Sequence, residues 1–305
     1  MTAPPVFTRW LLATEHGEFD RGAEGLALTL AQRAALPLAA VLPLASNPEF
    51  EAVAPAWAAR AEAAAAARRE DLLAQAAAAG VALQVAVRRG PEPYAEIVAA
   101  AAEGRHDLLI IRRRGQRSFL ANLLVGEMVT KVVAHSPCSV LVVPRDARPW
   151  QRRVLLALDP LAPDGAAVAQ AAALAAAWAL PLLVVCVADG GGDPKAVLAT
   201  AVAQAHVAGV AADGELLSGR PHQAVLQAAA DAGADLIVIG RHRAESLQRA
   251  WLGGVAQKVL GLATCPVLVQ VAEADLPRAE RRAAPKPARI PPGDRPAYPS
   301  DEGPS

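Results

Sequence analysis

One pattern occurs twice in the chain, and it limits the fold more than composition does. Residues 235–269 run from Asp-Leu-Ile-Val-Ile-Gly-Arg-His-Arg to Thr-Cys-Pro-Val-Leu-Val. Asp235 to Ile239 is apolar, β-branched and stopped by Gly240, which predicts a short buried parallel strand. A turn with Gly240, Arg241, His242 and Arg243 follows. An apolar-periodic helix then starts near Gly253-Gly254 and runs to about Leu262, and Cys265 to Val269 reads as a second buried strand. Asp107-Leu-Leu-Ile-Ile-Arg-Arg-Arg-Gly115 leads in the same way through Gly126 to Pro137-Cys138-Ser139-Val140-Leu141-Val142-Val143. Cys138 lies 12 residues after Gly126, and Cys265 lies 12 after Gly253. Asp107 to Gly126 is 19 residues against 18 for Asp235 to Gly253, so the first copy carries one extra loop residue. Repeats of this length are duplicated domains, not solenoid units.

The rest of each copy follows the same order. Trp10 to Thr14 is a strand, Glu15 to Arg21 a polar loop, Gly22 to Ala35 a helix, and a second strand starts at Pro37. These recur 144 residues later: Trp10 matches Val154, and Pro37 matches Pro181. The strand Val154 to Leu158 ends at Asp159. By Gly90 and Gly219 the offset has fallen to 129, which places about 15 extra residues in the first copy, ahead of a long helix over 56–79. Third strands are expected at Leu83 to Val87 and at about Glu215 to Leu217, each followed by a helix, Tyr94 to Glu103 or His222 to Ala232. Each copy is therefore β-α-β-α-β-α-β-α-β, an α/β doubly wound fold with five parallel strands. Such sheets bind ligands at the carboxyl ends of the strands, where strand order reverses.

Residues 145–152 form a short linker. The units expected are 6–146 and 151–272, with a disordered tail over 273–305. From Leu276 onward the chain holds eight of its 25 prolines and almost no large apolar residue, too little to offset the entropy of ordering. Formal net charge is zero, which argues against nucleic acid or an acidic membrane as a partner of the whole protein. Ala171 to Ala188 is long enough to be weighed as a membrane span, but Pro181 divides it into helix and strand, so it is read as core. Met1 to Arg9 lacks a basic stretch followed by an apolar run, so no signal peptide is expected. Cys138, Cys186 and Cys265 form no Cys-x-x-Cys pair and are read as small apolar fillers, with no zinc site and a reducing cytoplasmic compartment expected. Neither a P-loop nor a Gly-x-Ser-x-Gly elbow is present, and no acid–base pair is set for catalysis.

The turn at Gly240 resembles the nucleotide loop of the universal stress protein family, Gly-x-x-Gly, nine residues, then Gly-Ser or Gly-Thr. Here Gly240 is followed by Arg243 in place of the second glycine, then nine residues, then Gly253 and Gly254. The resemblance spans about residues 6–272 and implies two tandem domains of strand order 3-2-1-4-5. It also implies domains paired near the last strands, Ser139 to Val143 and Pro266 to Gln270, with a homodimer as a further form. It implies a non-catalytic stress-response protein binding ATP or another adenine nucleotide in the second copy, through Asp159, Val187, Gly240, Arg243, Gly253 and Gly254. Backbone amides at a glycine turn and helix start can hold phosphate, and Asp159 could accept ribose hydroxyls. Two other readings stand beside this one. Asp159 could simply cap nearby amides, and the whole chain could be an interaction scaffold without nucleotide. An adenylate-forming or α-hydrolase-type enzyme is disfavoured by the missing glycine- and serine-rich first loop.

The first copy departs further from the pattern. Glu15 stands at the Asp159 position, Arg112 at that of Gly240, and Glu127 where Ser or Thr is expected. Glu127 suits a helix N-terminus but repels phosphate, so this copy is expected not to bind nucleotide. Arg112, Arg113 and Arg114 are read as a solvated basic loop, with an anion contact as the functional alternative.

Overall fold

The computed structural model describes residues 6–113, 126–188, 191–241 and 252–271. His242, Arg243, Arg114, Gly115 and the expected tail lie outside these residues. The first copy contains β1 (Trp10–Ala13), α1 (Arg21–Ala34), β2 (Leu38–Ala45), α2 (Pro48–Val53), α3 (Pro55–Ala78), β3 (Leu83–Gly90), α4 (Pro93–Glu103), β4 (Leu108–Arg112), α5 (Glu127–His135) and β5 (Ser139–Val143). The second contains β6 (Val154–Leu158), α6 (Gly165–Ala177), β7 (Leu182–Ala188), α7 (Pro194–Val207), β8 (Ala212–Ser218), α8 (Pro221–Asp231), β9 (Leu236–Gly240), α9 (Gly254–Leu262) and β10 (Val267–Gln270).

The helix starts are written locally. Proline stands in the first turn of α3, α4, α7 and α8, where its missing N–H costs no helical bond. Asp164 caps α6 by accepting from the amides of Ala166 at 2.9 Å and Ala167 at 3.1 Å. The extra residues of the first copy divide between α2 and a lengthened α3, which has 24 residues against 14 in α7. β8 is longer than the sequence suggests. Its Asp213, Gly214 and Glu215 are exposed on an edge strand, so polarity hides it from apolar patterning.

Strand order is β3-β2-β1-β4-β5-β10-β9-β6-β7-β8, or 3-2-1-4-5 in each copy, within one ten-stranded sheet. All neighbours are parallel except β5 and β10, which pair antiparallel with Leu141 opposite Leu268. Two apolar layers cover the sheet. One holds Leu26 of α1, Leu72 of α3, Val168 of α6 and Leu198 of α7; the other holds Ile97 of α4, Val132 of α5, Val225 of α8 and Val259 of α9. Both layers run through the two copies without a break at the junction. The linker takes part as well: Trp150 is buried and its ring centroid lies 5.1 Å from that of Trp178.

Duplicated aspartates open β4 and β9. Asp107 accepts from the amides of Thr8 and Arg9, and Asp235 from those of Gln151, Arg152 and Arg153. Each carboxylate thus ties the entry of its copy's first strand to the fourth, which holds the two central strands in register.

Candidate nucleotide crevices

Both crevices lie at the C-terminal edge of the sheet. Ala13 of β1 is beside Ile111 of β4, and Ala157 of β6 is beside Ile239 of β9. The chain leaves each pair toward opposite faces, because α1 and α6 sit in one layer and α5 and α9 in the other. That divergence opens the space between them.

In the first copy the space is taken by side chains. Arg112 Nη2 donates to Glu15 Oε2 at 2.6 Å, and Nη1 donates to Asp20 Oδ2 at 3.1 Å. Asp20 is 1% exposed and also accepts from the Gly17 amide at 2.8 Å. Burial pushes the Asp20 carboxyl above its ordinary range, against the opposing pull of the Gly17 amide and the Arg112 guanidinium. Behind it, Glu24 is buried and accepts from the Thr14 hydroxyl at 2.5 Å, with His16 Nδ1 at 2.9 Å. Among the described residues a cavity of about 10 Å³ lies between Ala13, Pro43, Ile97 and Met128. Arg112 is therefore neither a solvated loop cation nor an anion contact. It is the counter-ion of two acids.

The second copy has an acid at both equivalent positions but lacks this arginine. Asp159 and Asp164 stand 144 residues after Glu15 and Asp20, and Gly240 stands 128 after Arg112. Asp159 Oδ1 accepts from the Leu161 amide at 2.9 Å, the local capping bond weighed from sequence. A carboxylate has about four acceptor positions, so that bond leaves room for others. The loop bearing Asp159 is pressed against Gly192, which has φ +68° and whose absent Cβ would lie 2.5 Å from the Pro160 carbonyl oxygen. Val187, one residue before the end of β7, has its side chain buried. Gly253 precedes α9, Gly254 begins it, and a Cβ at either would meet nothing within 4 Å. Gly240 ends β9, and a Cβ there would come 3.0 Å from Asp164 Oδ2. The structure thus places Asp159 and Gly240 at neighbouring strand ends. It adds Asp164, which sequence reading missed; its equivalence to Asp20 by the 144-residue offset was the available signal.

The residues after β4 and β9 cross between the copies. Arg241 is 4% exposed, and its Nη1 lies 3.1, 3.3 and 2.8 Å from the carbonyl oxygens of Val133, Ala134 and Ser136, at the end of α5. Arg113, its equivalent, donates to the carbonyls of Leu260 and Ala263 at the end of α9. Each copy therefore caps a helix of the other with a cation, the charge that suits a helix C-terminus. So Arg113 also departs from the solvated-loop reading. Among the described residues no cluster of three or more His, Cys, Asp or Glu could hold a metal ion.

The model of the universal stress protein family matches residues 7–144 and again 151–270. The chain belongs to the universal stress protein family. Universal stress protein Slr1230 of Synechocystis is 27% identical over 168 residues, 54% of this chain and 58% of that protein. A universal stress protein of Thermus aquaticus is 47% identical over 57 residues, 19% of this chain and 42% of that one. The chain thus spans about half the length of these curated relatives. The crystal structure of a universal stress protein from Archaeoglobus fulgidus superposes with a TM-score of 0.71 over 88% of this chain and 98% of its own, at 20% identity. That likeness extends the shared fold across both copies. No helix among the described residues is long and apolar enough to cross a membrane.

Proposed function

We propose that this universal stress protein is a non-catalytic, cytoplasmic adenine-nucleotide binder with one working crevice, in the unit 151–272, and one filled crevice, in the unit 6–146. The observation that carries the reading is the exchange of Arg112 for Gly240 at one structural position. An arginine held by Glu15 and Asp20 occupies the first crevice; in the second a glycine stands at that position, with no side chain to fill it and with Asp164 Oδ2 3.0 Å from where its Cβ would be. In this reading Asp159 accepts ribose hydroxyls, the backbone at Val187 meets the base, and Gly240, Arg243, Gly253 and Gly254 surround the phosphates of ATP or a related nucleotide. The open space around Gly253 and Gly254 at the start of α9 fits an anion. Asp164 does not, since its carboxylate faces Gly240 and opposes a phosphate there.

The test is calorimetric titration of the full chain with ATP, ADP and AMP. One site per chain is expected. Gly240→Arg copies the first crevice into the second and should abolish binding without unfolding the protein, because Asp164 and Asp159 offer the new cation the partners that Asp20 and Glu15 give Arg112. Asp164→Asn should tighten binding by removing a charge. Full affinity in Gly240→Arg would refute the site. Absence of binding in the parent and in Asp164→Asn would refute the nucleotide reading and favour the interaction scaffold, in which the paired copies act through their shared surface.

A further inference from the structure

A cavity of about 420 Å³ lies at the junction of the two copies, far along the sheet from both crevices. It opens over the layer that holds α1 and α6, and its walls include the first residues of β1, β4 and β9. The crevices, by contrast, lie at the strand C-termini. Its floor is Leu141 and Leu268, equivalent residues that face each other across the antiparallel β5–β10 pair. Leu30 of α1 and its equivalent Leu174 of α6 form opposite walls. The cavity therefore sits on the pseudo-two-fold axis that relates the copies.

The symmetry stops at the rim. Arg33 stands on the α1 side, where the equivalent residue of α6 is Ala177, and Trp178 stands on the α6 side, where α1 ends at Ala34. The Arg33 guanidinium lies 4.0 Å from the Trp178 ring centroid, and Trp178 packs on Trp150. Arg33 is exposed and takes part in no ion pair among the described residues. Trp10 and Trp150 also line the cavity, are 7% and 4% exposed, and have indole N–H groups without a hydrogen-bond partner among the described residues. Buried donors without acceptors are costly. Among the described residues the side-chain polar groups in this wall are donors, with no carboxylate among them. The remaining wall is aliphatic and aromatic.

A volume in the range of small-molecule sites, an apolar body, and polar side chains that are all donors specify the occupant. We propose that this cavity is a second ligand site, for one small amphipathic organic acid with an aliphatic or aromatic body. The body lies over Leu141 and Leu268 between α1 and α6. The carboxylate meets Arg33 at the rim, and rotation of the Trp10 or Trp150 ring brings an indole donor to one of its oxygens. The site is independent of the nucleotide crevice and exists only where the two copies meet.

The experiment titrates the full chain with sodium octanoate, with 1-octanol, and with 8-anilinonaphthalene-1-sulfonate as an aromatic anion, read by calorimetry and tryptophan fluorescence. Saturable binding of octanoate at one per chain, displacing the aromatic anion and shifting the tryptophan emission, is expected. Arg33→Gln should weaken octanoate by roughly tenfold or more while leaving octanol nearly unchanged. Ala34→Phe fills the cavity from a half-buried helix position and should remove both ligands, with circular dichroism confirming the fold. No saturable binding of either anion overturns the site. Binding that ignores Ala34→Phe places it elsewhere, and equal loss of octanoate and octanol in Arg33→Gln overturns the carboxylate assignment.

Discussion

Replacing Arg241 with methionine tests the clasp between the copies. The side chain keeps much of its apolar length and loses its charge and its donors. Nη1 is within 3.3 Å of three carbonyl oxygens, but it carries two hydrogens, so at most two of these bonds are well formed at once. A buried carbonyl left without a partner costs about 1–3 kcal/mol. Loss of a cation at the end of α5 adds about 0.3–1 kcal/mol. Part of this is offset, because the parent protein must desolvate a guanidinium that is 4% exposed and the variant need not. The net expectation is a destabilisation of about 2–4 kcal/mol. Urea unfolding followed by circular dichroism and tryptophan fluorescence measures it, with the m-value showing whether both copies still unfold together. Arg113→Met should cost less, about 1–2 kcal/mol, since that side chain is only partly buried and reaches two carbonyls. A change below about 0.5 kcal/mol for Arg241→Met, with an unaltered m-value, would show that the bonds to α5 hold nothing together.

The pH dependence of Asp20 has a defined sign. Its pKa is raised in the folded chain, so that chain retains a proton where the unfolded chain has released it, and stability falls as pH rises from the ordinary carboxylate range through the raised folded value. Relative to Asp20→Asn, the parent should lose stability across that window and then level off; a gap that moves the other way in urea titrations refutes the assignment. Ala179, two residues past the last residue of α6, holds the left-handed conformation at φ +52°, so Ala179→Gly should raise stability by about 0.5–1 kcal/mol in thermal unfolding. Burial pushes the Cys265 thiol up to about 11, so iodoacetamide at mildly alkaline pH should alkylate it far more slowly in the folded chain than in urea, as read by mass spectrometry.

The repeat made most of the elements readable. Buried parallel strands such as Leu236–Gly240 are unbroken apolar runs, and the prolines and glycines around them mark where helices begin and end. The comparison of Arg112 with Gly240 was also available, because both sit at one offset from the paired aspartates. Where local signal was weak, the elements blurred: β8 was expected only over about Glu215 to Leu217, because Asp213 and Gly214 carry no apolar pattern, although β7 pairs with it along its whole length from Ala212 to Ser218. Asp164 looked like an ordinary loop residue, because a helix cap and a group facing Gly240 have the same sequence appearance.

What the sequence by itself determined is most of the elements, though not α2, with their order, their duplication and the positions where the two copies differ. These follow from periodicity, capping and turn chemistry, which act over a few residues. The tertiary structure alone decided what the differing residues do. Arg112 closes a crevice on acids 97 and 92 residues away, Arg241 caps a helix 105–108 residues away, and Arg113 does the same over 147–150. No local preference encodes such contacts. They arise because ten strands form one sheet, which brings the ends of α5 and α9 beside the loops of the opposite copy and encloses a cavity where Leu141 meets Leu268.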